Sequence, residues 1–133
     1  MTRGARETLC ARMSEKGAIL IIGAAGRMGA ALARRYARSR KVIAFRREHL
    51  DVLEPQRISP ALGSLDFDTV IHTAGITSVD ECENNPRGAA LSNTETPRVL
   101  AQVCAARGAR FIHVSTDYVF KGDEPAPRRE TDP

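Results

Sequence analysis

From Gly17 onward, short apolar runs alternate with longer stretches whose apolar residues recur every three or four positions. Ala18-Ile19-Leu20-Ile21-Ile22 is apolar without a break and ends at Gly23. It is too short for a typical helix and too uniform for a half-exposed strand. It predicts a central parallel strand covered on both faces. Over 27–40, Met28, Leu32 and Tyr36 stand four apart with small Ala30 and Ala33 between them. That spacing predicts an amphipathic helix able to lie close to a sheet. Further strands are predicted at 42–45, at 50–53 (very short), at 69–74 and at 111–114. Residues 55–62 predict a short helix weakened by Pro60. Residues 80–107 predict a mostly helical stretch in which Pro86 and Pro97 mark starts or kinks and Gly108 is the stop. Connections this long exclude hairpins. The pattern predicts an α/β fold: a Rossmann-type, doubly wound parallel sheet of about five strands with helices on both faces.

A length of 133 residues fits one domain, and 42% hydrophobic with 27% charged residues is ordinary for a soluble chain. Residues 1–16 are polar and Arg-rich without an apolar core, so they read as a flexible tail and not as a secretory signal. No run approaches the ~20 apolar residues of a membrane span. Cys10, Cys82 and Cys104 are odd in number and form no CxxC pair, which excludes a disulfide scaffold or a cysteine zinc site. A reducing compartment follows, so a cytoplasmic location is expected. His49, His72 and His113 have no metal-ligand spacing, so no metal site is expected. His72 and His113 fall in strands and are expected to be packed or hydrogen-bonded there.

The net charge of +4 allows anionic ligands, but 5% aromatic content and no Trp argue against a base-stacking nucleic-acid platform. Of the 20 cations 17 are Arg. Arg34, Arg35, Arg38 and Arg40 cluster at the end of the first helix, where they are expected to be solvated and to complement its dipole.

The strongest local chemistry is Gly23-Ala24-Ala25-Gly26-Arg27-Met28-Gly29, set between an apolar strand and an amphipathic helix. Such a loop binds a dinucleotide. Gly23 permits the tight turn, Gly26 lets a diphosphate approach the backbone, and Gly29 lets the helix pack on the strand. The helix N-terminus adds free N–H groups and partial positive charge. The plain alternative is a tight turn with no ligand. The spacing, GxxGxxG, is that of short-chain dehydrogenase/reductase proteins. Past the second strand, where an acidic residue would bind the 2′-hydroxyl of NAD, stand Arg46 and Arg47. A guanidinium fits the 2′-phosphate of NADP, so NADP(H) is the expected cofactor and NAD(H) the alternative. Two surface arginines are the bland reading.

Further along come Val70-Ile71-His72-Thr73-Ala74-Gly75-Ile76-Thr77-Ser78-Val79-Asp80-Glu81-Cys82-Glu83, then Asn93, then Val114-Ser115-Thr116-Asp117-Tyr118-Val119-Phe120-Lys121-Gly122. In this order after the glycine loop, these segments resemble the dTDP-4-dehydrorhamnose reductase family of extended short-chain dehydrogenase/reductases. Glu130-Thr131-Asp132 resembles the family's continuation. The resemblance implies that Gly26, Arg27 and Met28 touch the cofactor diphosphate. Asp51 and Val52 would border the adenine, Asp51 as a hydrogen-bond acceptor, and Ala74, Gly75 and Thr77 would line the nicotinamide-side ribose. Asn93 would sit within the long helix near the strands at 69–74 and 111–114. Thr116 would be the catalytic hydroxyl bonding the reacting carbonyl oxygen, and Thr116 with Asp117 would contact a nucleotide-sugar substrate. Turn-forming roles are the alternatives for Asp51, Ser115 and Thr116, and a helix kink or cap for Asn93.

The activity implied is NADPH-dependent reduction of the C4 ketone of dTDP-4-dehydro-L-rhamnose to dTDP-L-rhamnose. In the family a Tyr supplies the proton, and a Lys four residues later lowers that Tyr's pKa. Here Arg40 follows Tyr36 at that spacing and Gly122 follows Tyr118, so neither makes the pair. Residues 17–133 therefore read as an incomplete NAD(P)-binding Rossmann domain, truncated before the catalytic helix and the sugar-binding region and inactive alone. Two other readings remain. One is a noncatalytic NADP-binding module like the regulatory subunits of methionine adenosyltransferase. The other is another extended nucleotide-sugar epimerase or dehydratase. No membrane partner is expected, and a homodimer or a partner chain is left open. Residues 111–114 read as buried on both faces. Left as an edge, that strand is expected to make the 133-residue polypeptide associate or lose stability.

Overall fold

The computed structural model describes residues 17–120, 122, 127–129 and 131. The tail expected at 1–16, Lys121, and the Glu130 and Asp132 of the family-like continuation lie outside the described residues.

Four strands form one parallel sheet: β1 (Ala18–Ile22), β2 (Val42–Phe45), β3 (Phe67–His72) and β4 (Arg110–His113). Their order is β2-β1-β3-β4. The connections carry α1 (Arg27–Tyr36), α2 (Ile58–Leu62), α3 (Val79–Asn84), α4 (Pro86–Ala90) and α5 (Thr96–Arg107). A π-turn at Leu91–Glu95 joins α4 to α5.

The unbroken apolar run of β1 is explained by its two buried faces. Ala18, Leu20 and Ile22 point into one core with Leu50, Ile58, Leu62, Val70, Leu100 and Cys104. Ile19 and Ile21 point into another with Ala24 and Ile71, closed by Leu32, Ala33 and Tyr36 of α1. Fully burying each such aliphatic side chain stabilises the fold by about 1.5–3 kcal/mol. Every apolar position of this strand is therefore needed. Among the described residues no helix is long and apolar enough to cross a membrane. Cys82 and Cys104 are free thiols, and burial in the core pushes the Cys104 thiol pKa up.

Several expectations are corrected. The sheet has four strands among the described residues, because Leu50-Asp51-Val52-Leu53 is a turn. Asp51 Oδ1 accepts from the Leu53 amide at 3.0 Å, so the side chain offers the backbone a turn bond in place of a ladder bond. Helix α1 ends at Tyr36 instead of continuing to Arg40, and Met28 on its first turn is half exposed instead of packed. Arg40 does not join a solvated face. Its guanidinium binds both carboxylate oxygens of Asp68, at 2.8 and 2.7 Å, and the Gly17 carbonyl. It thereby ties together the chain around the starts of β1, β2 and β3. The edge expected at 111–114 is found and is no correction: β4 is the sheet's last strand and largely exposed, with Ile112 40% and, just past it, Val114 42% accessible. Among the described residues no strand pairs with its outer edge.

Candidate cofactor-binding site

The carboxyl ends of the strands open into a cleft of about 480 Å³, within the usual range of small-molecule sites, about 300–1,000 Å³. Gly23 turns the chain out of β1 with φ +89°, and its amide and that of Ala24 both bond the Phe45 carbonyl at 3.1 and 2.9 Å. A Cβ on Gly23 would stand 2.7 Å from the Ala74 amide nitrogen. Only glycine fits where these two loops meet. A Cβ on Gly29 would overlap the Gly23 carbonyl oxygen, so the first turn of α1 sits directly against the loop.

Helix α1 begins at Gly26 with no side-chain cap and no acidic residue in its first turn. Its first backbone bond runs from the Ala30 amide to the Gly26 carbonyl at 2.9 Å. The amides of Arg27, Met28 and Gly29 therefore lack intrahelical acceptors and carry the positive end of the dipole. This arrangement suits an anion.

Beside the glycine turn, Arg46 and Arg47 line the cleft. Arg47 Nε pairs with Asp51 Oδ2 at 3.1 Å. Among the described residues Arg46 has no carboxylate within ion-pair distance. Asp51 has both oxygens engaged. The Leu53 amide, then Arg47, hold its carboxyl below the usual range against an opposing effect of burial.

The loop after β3 forms another wall. Asn93 in the π-turn grips it at two points: Oδ1 accepts from the Ile76 amide at 2.9 Å, and Nδ2 donates to the Ile76 carbonyl at 2.8 Å. A Cβ on Gly75 would stand 3.1 Å from Asn93 Oδ1, so this clamp leaves little room for a side chain. Thr73 donates to the Ile22 carbonyl at 3.0 Å, tying the loop back to β1.

Of the residues expected from the sequence, Gly23, Gly26, Arg46, Asp51, Val52, Ala74, Gly75 and Thr77 all line this cleft. Arg27, Met28 and Gly29 stand in the first turn of α1, outside its lining. Thr116 and Asp117 are exposed and also outside it. The Thr116 hydroxyl accepts from the Tyr118 amide at 3.3 Å and donates to Asp117 Oδ1 at 3.1 Å, capping a short turn. The sequence reading did not single out Ser92, Asn85 or Glu81, which also line the cleft. Only the proximity of Ser92 to Asn93 could have pointed to it.

Below the cleft, His72 and His113 face each other across β3 and β4 with Nδ1 atoms 3.0 Å apart and rings stacked at 5.1 Å. One donates and the other accepts, which a neutral pair allows. Burial, reinforced by His113, pushes His72 down to about 4, and burial lowers His113.

Known proteins share this architecture. The chain is 41% identical over 116 residues to a Streptomyces antibioticus protein named "Probable dTDP-4,6-dihydroxy-2-methyloxan-3-one 4-ketoreductase", covering 86% of this chain and 39% of that one. It is 40% identical over 119 residues to a dTDP-4-dehydrorhamnose reductase of Mycobacterium tuberculosis, covering 86% and 38%. The solved dTDP-4-dehydrorhamnose reductase of Bacillus anthracis in complex with NADP superimposes with a TM-score of 0.75 at 29% identity, covering 83% of this chain and 40% of that one. The chain thus spans about two-fifths of the length of these relatives. The RmlD substrate binding domain family matches residues 17–133, and this chain belongs to that family.

Proposed function

We propose that this chain holds NADP(H) and forms the cofactor half of a reductase acting on the C4 ketone of a dTDP-linked 4-keto-6-deoxysugar, dTDP-4-dehydro-L-rhamnose. The observation that carries the reading is that Gly26, the uncapped N-terminus of α1, and Arg46, which has no carboxylate partner among the described residues, line one cleft at the carboxyl ends of the strands. The first accepts a diphosphate and the second a 2′-phosphate. Gly23 and Gly75, which both line the cleft, let the loop after β1 approach the loop after β3 and the latter approach Asn93 without a side chain between them. When bound, the cofactor supplies hydride. The residues of this chain would bind and orient it. Thr116, past the end of β4, would meet the carbonyl oxygen as it gains charge, and Asp117 would contact the sugar.

The Tyr-x-x-x-Lys pair implied by the resemblance is not among these residues. The reading therefore assigns proton delivery elsewhere, and the 133-residue polypeptide alone is expected to show no NADPH oxidation with the keto-sugar nucleotide. The relatives named above bear different sugar names, and dTDP-4-dehydro-L-rhamnose is preferred here on the Ser115-Thr116-Asp117-Tyr118-Val119-Phe120 segment. The test titrates NADPH and NADH into wild type and Arg46→Asp. Losing a charge-assisted phosphate contact worth about 1.5–3 kcal/mol should weaken NADPH roughly ten- to hundredfold and leave NADH little changed. An unchanged ranking of the two nucleotides rejects the arginine reading.

A further inference from the structure

The peptide group that leads into Arg46 is held on both of its sides. On one side the Phe45 carbonyl accepts from the Gly23 and Ala24 amides, at 3.1 and 2.9 Å. On the other the Arg46 amide donates to His49 Nδ1 at 3.2 Å. The Arg46 carbonyl then closes a single turn, accepting from the His49 amide at 3.0 Å and the Leu50 amide at 3.1 Å. A side chain that reaches back three residues to the amide opening a turn is what Glu or Gln supplies in a capping box. Here an imidazole nitrogen takes that place.

Two further contacts hold the turn. The His49 ring stacks on Phe45, with centroids 5.6 Å apart and planes 17° from parallel. Leu50, at the end of the turn, is buried in the core. The two arginines are not equivalent. Arg47 is paired with Asp51, whereas Arg46 has no carboxylate partner among the described residues and lines the same cleft as Gly23 and Gly26. A long side chain without a partner of its own takes its direction from its backbone. At Arg46 that backbone is one peptide plane shared between the glycine loop and His49.

We propose that His49 is a positioning residue for NADP(H): through the Arg46 amide it aims the Arg46 guanidinium at the 2′-phosphate and so sets the preference for NADP(H) over NAD(H). This rests on the cofactor reading above. Without the imidazole acceptor the Arg46 amide turns to water and the peptide keeps one anchor. Arg46 must then be ordered when the phosphate binds, which costs affinity.

The test is calorimetry of NADP⁺ and NAD⁺ with the full chain as wild type, His49→Ala, His49→Gln, Arg46→Ala and the double variant. His49→Ala should weaken NADP⁺ roughly three- to tenfold, the worth of one net hydrogen bond, and leave NAD⁺ within about twofold. His49→Gln can remake the capping-box bond and should recover most of the NADP⁺ affinity. In the Arg46→Ala background, His49→Ala should have no further effect on NADP⁺, because nothing is left to position. A histidine that merely holds the turn would weaken both nucleotides alike, with or without Arg46. That result overturns the assignment and leaves the cofactor reading standing, as does a His49→Ala protein that keeps its full preference for NADP⁺. If Arg46→Ala leaves the ranking of the two nucleotides unchanged, or wild type binds neither, the arginine reading falls and the His49 assignment falls with it.

Discussion

Gly29→Ala puts the glycine loop under the most direct mechanical strain. The new methyl would overlap the Gly23 carbonyl oxygen and stand 2.8 Å from its carbon and 2.9 Å from Thr73 Oγ1. The first two neighbours are backbone atoms of a residue at φ +89°, anchored by its amide to Phe45, so they cannot give way as a flexible side chain would. Two effects oppose each other. Ala is favoured over Gly within a helix by about 1 kcal/mol. Overpacking costs typically about 1–3 kcal/mol, and overlap with fixed backbone belongs at or above the top of that range. The net loss should be on the order of 2 kcal/mol, with the α1 N-terminus pushed off the turn and NADP⁺ binding lost with it. Urea unfolding followed by circular dichroism would show the midpoint falling by roughly 1 M for an m-value near 2 kcal/mol/M. Gly63→Ala is the control. Its Cβ would meet only the Ser59 and Pro60 carbonyl oxygens, at 3.3 and 3.4 Å, so any loss should be clearly smaller than that of Gly29→Ala. A Gly29→Ala protein as stable as wild type, with nucleotide affinity intact, would refute the claim that helix and loop are in rigid contact.

Three further outcomes follow from other contacts. Asn93→Ala removes both bonds to Ile76, but these groups are exposed and rehydrate, so the loss should be nearer 1 than 2 kcal/mol. Amide exchange at Ile76 should quicken, and unchanged protection there would show that the clamp holds nothing. The folded chain resists protonating His72 until about pH 4, whereas the unfolded chain takes that proton near pH 6.5. Stability should therefore be level above pH 6.5 and fall by on the order of 3 kcal/mol between about 6.5 and 4. In urea midpoints across pH, His72→Leu should flatten that slope, and an equal slope in the variant contradicts the assignment. Ile112 and Val114 lie exposed at β4, so the 133-residue polypeptide should self-associate, and Ile112→Lys with Val114→Lys should reduce it. Sedimentation showing a wild-type monomer at every concentration would contradict this.

Physical coupling along the chain explains what could be read in advance. Strand β1 and the turn after it were legible because an unbroken apolar run followed by spaced glycines has few alternative structures. The alternation of strand and helix was legible because each element carries its own period. Leu50-Asp51-Val52-Leu53 misled because its alternation is that of a strand, while one Asx bond, invisible to periodicity, bends it into a turn. Met28 kept the helical spacing but fell on the helix's first turn, where it is half exposed. Arg40 looked like surface charge because its partner, Asp68, is distant in sequence. The Asn93 clamp arises only when the π-turn meets the loop after β3, so local sequence gives no sign of it. Strand β4 has the apolar composition of a covered strand and stands as the exposed edge that was expected of it in this polypeptide.

The most direct measurement is isothermal titration of NADP⁺ and NAD⁺ into the folded 133-residue chain. One site per chain, with NADP⁺ bound the more tightly, is the expected result. Folded protein that gives no binding heat with either nucleotide would contradict the assignment of the cleft at the strands' carboxyl ends to a dinucleotide.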